Sequence, residues 1–109
     1  NIPGFNKNLI PIISNAIIPF FFMKSNVIEI NEAFAPQVLG CLSMLKVDFN
    51  DARVNPNGGA IAVGHPLGAS GARIAITATR QLERMQGRYA AISLCIGIGQ
   101  GVAAIIERV

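Results

Sequence analysis

The chain has 109 residues, enough for one domain whose core takes roughly two thirds of the unfolded surface out of water. Hydrophobic residues make up 51% and charged ones 14%, so much of the apolar surface is expected to face a further part of a longer protein. Nine Lys and Arg against six Asp and Glu give +3, which suits an anionic ligand such as a nucleotide phosphate; scattered basic residues without aromatic interleaving argue against nucleic acid as a partner.

Residues 1–26 read as an atypical amino-terminal segment without a clear period, where Pro3, Pro11 and Pro19 discourage a continuous helix. The uncharged run Asn8 to Met23 is sixteen residues long and interrupted by Pro11, Ser14, Asn15 and Pro19. It falls short of the roughly twenty residues that span a bilayer and lacks a signal-peptide pattern, so no membrane partner is expected. The start at Asn1, with no initiator methionine, reads most simply as part of a longer chain.

Val27 to Ile30 reads as a short buried strand. From Glu32 to Lys46, Phe34, Val38, Leu42 and Leu45 recur at helical spacing, with Pro36 in the first turn where proline is tolerated. A polar turn, Asp48 to Arg53, leads into a glycine-rich loop. A second helix is expected from Ala69 to Gln86, with Ile74, Ala78, Leu82 and Met85 on one stripe and Gly87 as a left-handed cap. Tyr89–Cys95 and Val102–Ile106 read as strands, the second covered on both faces, with Gly97 to Gly101 turning between them. This order of elements is α/β and layered, with a sheet and covering helices.

The loop from Asn55 to Gly71 gathers glycines around the chain's only histidine, His65, with no charged side chain among them. Glycine is placed where backbone takes positive φ or approaches a ligand closely, so this composition points to an active-site loop. A neutral imidazole there can accept a thiol proton or donate a hydrogen bond; the alternative is a histidine that satisfies local backbone groups. Cys95, at a strand end and followed by glycines, suits a nucleophile or an acid/base thiol, against the alternative of a small buried hydrophobe. Cys41, beside Leu42 in mid-helix, fits that alternative better. Asn31, ahead of a helix, serves either as an N-cap or as an amide that holds a water in the site.

Several common chemistries are excluded. One histidine and two cysteines offer no metal-ligand spacing, and two cysteines make no disulfide framework, which favours free thiols in a reducing, cytoplasmic setting. Gly97-Ile-Gly-Gln-Gly lacks dinucleotide-fingerprint spacing and precedes a strand, and neither a P-loop nor a serine elbow is present.

NEAFA at 31–35, GHPLGASGAR at 64–73 and CIGIGQG at 95–101 together resemble the motifs of the thiolases, over residues 27–109, and the loop and carboxyl terminus look most like the bacterial 3-oxoadipyl-CoA and 3-ketoacyl-CoA thiolases. The resemblance implies the carboxyl-terminal part of a thiolase-like fold. It also implies coenzyme A-dependent cleavage of a 3-ketoacyl-CoA to acetyl-CoA and a shortened acyl-CoA, or the reverse Claisen condensation. By matching positions, His65 activates the nucleophilic cysteine and helps form an oxyanion hole, and Asn31 positions the water that completes it. Cys95 moves the proton at the acetyl α-carbon, the Gly97 N–H contributes to a second oxyanion hole, and Phe34, beside Ala33, lines the pantetheine tunnel. The implied partners are acyl-CoA and coenzyme A, a co-substrate rather than a resident cofactor, together with an amino-terminal half that carries the acyl-accepting cysteine. The complete protein is expected to be a dimer or tetramer, and the isolated chain is expected not to turn over. The competing reading is a non-catalytic thiolase-like remnant that binds acyl-CoA or pairs with a full-length subunit.

Overall fold

A computed structural model describes residues 17–109, so the readings made of residues 1–16 lie outside the described residues. Its elements are α1 (Ile17–Lys24), β1 (Val27–Ile30), α2 (Ala35–Leu45), α3 (Ala60–Val63), α4 (Leu67–Met85), β2 (Tyr89–Gly97) and β3 (Gln100–Glu107). The strands form one mixed sheet in the order β1-β2-β3, with β1 parallel to β2 and β2 antiparallel to β3.

Alternation along the strands sends side chains to two helical layers. On one face Ile28, Ile30 and Ala91 meet Phe22 of α1 and Val38 and Leu42 of α2. On the other, Val27 and Ala90 meet Ala78 and Leu82 of α4. The layered α/β architecture read from the sequence is therefore the one observed. No helix among the described residues is long and apolar enough to cross a membrane.

Register is set by side chains that stand in for backbone. Asn26 Oδ1 accepts the N–H groups of Arg88 and Tyr89, at 2.8 and 3.1 Å, and its own N–H donates to the Tyr89 carbonyl at 2.7 Å. These bonds pin the start of β1 to the start of β2. At the other edge of β1, Ile28 bridges Val54 in parallel. The carboxamide of Asn55 then continues that edge by accepting from the Ile30 N–H and donating to the Ile30 carbonyl, both at 2.9 Å. Arg53 ties this segment to the end of α1 through the carbonyls of Met23 and Ser25.

The elements depart from expectation at their ends. A helix, α1, forms despite the prolines, because Pro19 falls in its first turn, where a missing N–H is not needed. Phe34 is the N-cap of α2 and 72% exposed, so it is not part of the buried stripe; Asn31 is not the cap. Gln86 rather than Gly87 takes the left-handed cap of α4, at φ 55°. Gly87 is needed for a close approach instead, since a Cβ there would lie 2.9 Å from that of Asn26. Met85 is exposed, and β2 and β3 run further than expected, leaving only Ile98 and Gly99, both at positive φ, as a two-residue hairpin turn. β3 is half-exposed rather than covered on both faces. The glycine-rich loop contains a short helix, α3, that periodicity did not reveal. Phe34, Met44, Leu67 and Ile98 all stand exposed.

Candidate active site

The residues singled out in the sequence gather at the carboxyl ends of the two parallel strands, the position where open α/β sheets receive ligands. Asn31 is the first residue after β1, and its N–H donates to the Ser93 carbonyl of β2 at 2.8 Å. Its side chain is fully buried and turns toward the start of α4. There it meets His65, held half-buried in the link between α3 and α4 by Gly64 and Pro66. Gly64 adopts φ 95°, a conformation that suits glycine, and Pro66 is the N-cap of α4.

The Asn31 Nδ2 lies 3.4 Å from His65 Nδ1 and 3.3 Å from Nε2. Near-equal distances place the amide over the ring instead of along either lone pair. Asn31 Oδ1 is buried and has no hydrogen-bond partner, a condition that costs free energy unless a ligand or water supplies a donor. His65 Nδ1 also contacts Ser70 Oγ at 2.6 Å. Ser70 is 1% exposed, in the first turn of α4, and its hydroxyl also reaches the Pro66 carbonyl at 3.2 Å.

Cys95 stands at the same end of the sheet, exposed, with a free thiol and no hydrogen bond to Asn31 or His65. Pairing of Ser93 with Ala103, and of Cys95 with Gly101, directs Cys95 to the face that α2 covers, whereas Asn31 faces α4. A molecule that meets all three must lie across the strand tips. Between Cys95 and Gly97 the ladder is irregular, and Gly97 adopts φ 123° in otherwise open space. Phe34 and Ala33 follow Asn31 at the same sheet end, Phe34 exposed and Ala33 half-buried. Cys41 is half-buried against the α2-side core, as its apolar neighbours suggested.

Four neighbours were missed, although two of them sit inside the quoted motifs and a third opens the glycine-rich loop. Ser70 belongs to GHPLGASGAR. Glu32 belongs to NEAFA, and its carboxylate accepts the Ile61 N–H at 2.9 Å and the Asn55 amide at 3.0 Å, joining the strand end to the glycine loop. Asn55 opens that loop at φ 43°. Glu29 is the fourth: a single carboxylate in the apolar strand VIEI was itself the signal. It is fully buried, 3.7 Å from Arg73 of α4, and burial pushes its pKa up to about 7, with Arg73 opposing and Glu32 reinforcing the shift.

The chain matches the family model described as "Thiolase, C-terminal domain" over residues 20–108. It is 66% identical over 86 residues to the beta-ketoadipyl-CoA thiolase of Acinetobacter baylyi, covering 79% of this chain and 21% of that one. It is 60% identical over 84 residues to the 3-oxoadipyl-CoA/3-oxo-5,6-dehydrosuberyl-CoA thiolase of Escherichia coli, covering 77% and 21%. Among solved structures it resembles the human mitochondrial 3-ketoacyl-CoA thiolase, also solved in complex with CoA, with a TM-score of 0.75 and 48% identity over 81% of this chain and 22% of that one. The chain thus spans about a fifth of the length of the relatives it matches.

Proposed function

Because the chain belongs to the thiolase family and corresponds to its carboxyl-terminal domain, we propose that it supplies the acid/base and oxyanion half of a thiolase active site. The observation that carries this reading is the partly buried contact between Asn31 and His65, drawn from residues 34 positions apart, with the Asn31 carbonyl oxygen left without a partner at the strand ends where Cys95 emerges.

In this reading His65 accepts the proton of an acyl-accepting cysteine carried elsewhere in the complete protein. The thiolate attacks the 3-keto carbon of the substrate, and the bond between the α- and β-carbons breaks. Cys95 then delivers a proton to the α-carbon of the departing acetyl-CoA enolate. Coenzyme A thiol gives its proton to the Cys95 thiolate and attacks the remaining acyl-cysteine; the released cysteine thiolate takes back the proton held by His65, and the shortened acyl-CoA departs. Asn31, through a water on its Oδ1, together with His65 and the Gly97 N–H, stabilises the developing oxyanions, each donor worth roughly 10²- to 10³-fold in rate. Phe34 and Ala33 line the path of the pantetheine arm. The names of the relatives support a 3-ketoacyl-CoA substrate, 3-oxoadipyl-CoA in particular. The two free thiols support a reducing cytoplasmic setting, and the family supports a homo-oligomer, dimer or tetramer.

The test is thiolysis by the full-length protein of acetoacetyl-CoA, longer 3-ketoacyl-CoAs and 3-oxoadipyl-CoA. His65→Ala, Asn31→Ala and Cys95→Ala are each expected to lower kcat by roughly 10²-fold or more while the protein stays folded. The 109-residue chain alone is expected to be inactive. Variants that turn over like the parent would contradict the assignment, and a folded full-length protein that binds acyl-CoA without turnover would favour a non-catalytic binding module.

A further inference from the structure

The hydrogen bonds around Ser70 bear on a question the motifs leave open, namely which nitrogen of His65 carries its proton. A serine hydroxyl has one proton to give. Ser70 Oγ lies 3.2 Å from the Pro66 carbonyl, an acceptor with no proton of its own, and 2.6 Å from His65 Nδ1. If the hydroxyl donates to the carbonyl, it accepts from the ring, so Nδ1 must be protonated and Nε2 carries the lone pair. Ser70 is 1% exposed, which leaves water little opportunity to replace either bond. Among the described residues, the one hydrogen-bond contact of Nε2 is the Asn31 amide, which sits over the ring.

We propose that Ser70 is a positioning residue that holds His65 as the Nδ1–H tautomer and so presents Nε2 as the nitrogen that exchanges protons in the site. The hydrogen bond made by one ring nitrogen fixes what the other can do. Here that bond comes from α4, the helix that begins directly after His65, so the ring's orientation follows the first turn of the helix. Ser70 acts through His65 and does not itself touch the reacting atoms. The mechanistic part of the proposal rests on the thiolase reading; the tautomer does not.

The experiment is 15N NMR of the full-length protein labelled at histidine, with the His65 signals assigned by their loss in His65→Gln, together with kcat and KM for coenzyme A-dependent thiolysis. In the parent, Nδ1 is expected to give the protonated-type shift and Nε2 the unprotonated type. Ser70→Ala is expected to move the ring toward Nε2–H or an averaged pattern and to lower kcat on the order of tenfold with KM little changed. Ser70→Thr, which keeps a hydroxyl, should retain the Nδ1–H pattern. A parent ring that is Nε2–H, or a folded Ser70→Ala variant with the parent pattern, overturns the proposal. If Ser70→Ala does not fold, the parent and Ser70→Thr spectra still decide it. The spectra are read without substrate, so a Ser70-dependent Nδ1–H ring in a protein that catalyses no thiolysis would overturn the thiolase reading and leave the positioning role standing.

Discussion

The carboxylate of Glu29 enters the layer between β1 and α4 with no hydrogen bond to either oxygen, and the Arg73 guanidinium, at 3.7 Å, offsets its burial only in part. With its pKa raised from 4.5 to about 7, Glu29 holds a proton in the folded chain that the unfolded chain has already released. Stability from this group is therefore fully present below pH 4.5 and is lost as pH rises to about 7, by about 3 kcal/mol in all. Glu29→Gln, which cannot titrate, should flatten that slope. The measurement is the unfolding free energy from urea titrations across this window, taken as parent minus variant so that contributions common to both cancel. An unchanged slope would show that Glu29 is not the group responsible. Read as sequence, VIEI announced a buried strand but not this carboxylate's partner, because Arg73 lies 44 residues further along and only the packing of α4 on β1 brings the two together.

At the scale of elements, two glycines that look alike in sequence should respond to alanine with opposite signs. Gly40 lies exposed inside α2, where a Cβ would meet nothing, so Gly40→Ala should stabilise the chain by about 0.5–1 kcal/mol through helix propensity and reduced chain entropy. A Cβ at Gly59 would overlap the Glu32 carboxylate, which is tethered by the Ile61 N–H and Asn55 and has little freedom to withdraw. Gly59→Ala should cost about 1–3 kcal/mol, as overpacking does. It should also loosen the join between the strand end and the glycine loop. Thermal or chemical unfolding of the two variants checks both signs, and a neutral Gly59→Ala would mean that Glu32 moves away without loss. Contacts of this kind also decide which element ends were legible. The core stripes of α2 and α4 followed from apolar spacing at Val38, Leu42, Ile74, Ala78 and Leu82. The caps did not, because Gln86 and Gly87 divide their roles according to Asn26, a residue 60 positions away from the cap. Likewise α3 is too short to carry a period, and its position depends on Glu32 holding the Ile61 N–H.

Across the whole molecule, the three glycine- or asparagine-containing motifs are far apart in the chain yet lie at one end of the sheet. Parallel pairing of β1 with β2 brings Asn31 beside Ser93, and α4 returns from the far end of the loop with His65 at its head. The chain's surplus of apolar residues was legible from composition, and Phe34, Leu67 and Ile98 do stand exposed. Which surface each side chain faces was not legible, because it depends on strand alternation; this is why Asn31 meets His65 while Cys95 turns toward α2. Under the proposed function, that geometry makes a demand on the substrate: its reacting carbons lie across the strand tips, with the thiol and the imidazole on either side. The direct measurement is a structure of the full-length protein with a bound CoA thioester. The account predicts the thioester oxygen about 3 Å from His65 Nε2 or from a water on Asn31 Oδ1, with the Cys95 sulfur facing the acyl α-carbon. A thioester seated with its carbonyl away from both His65 and Asn31 would contradict it.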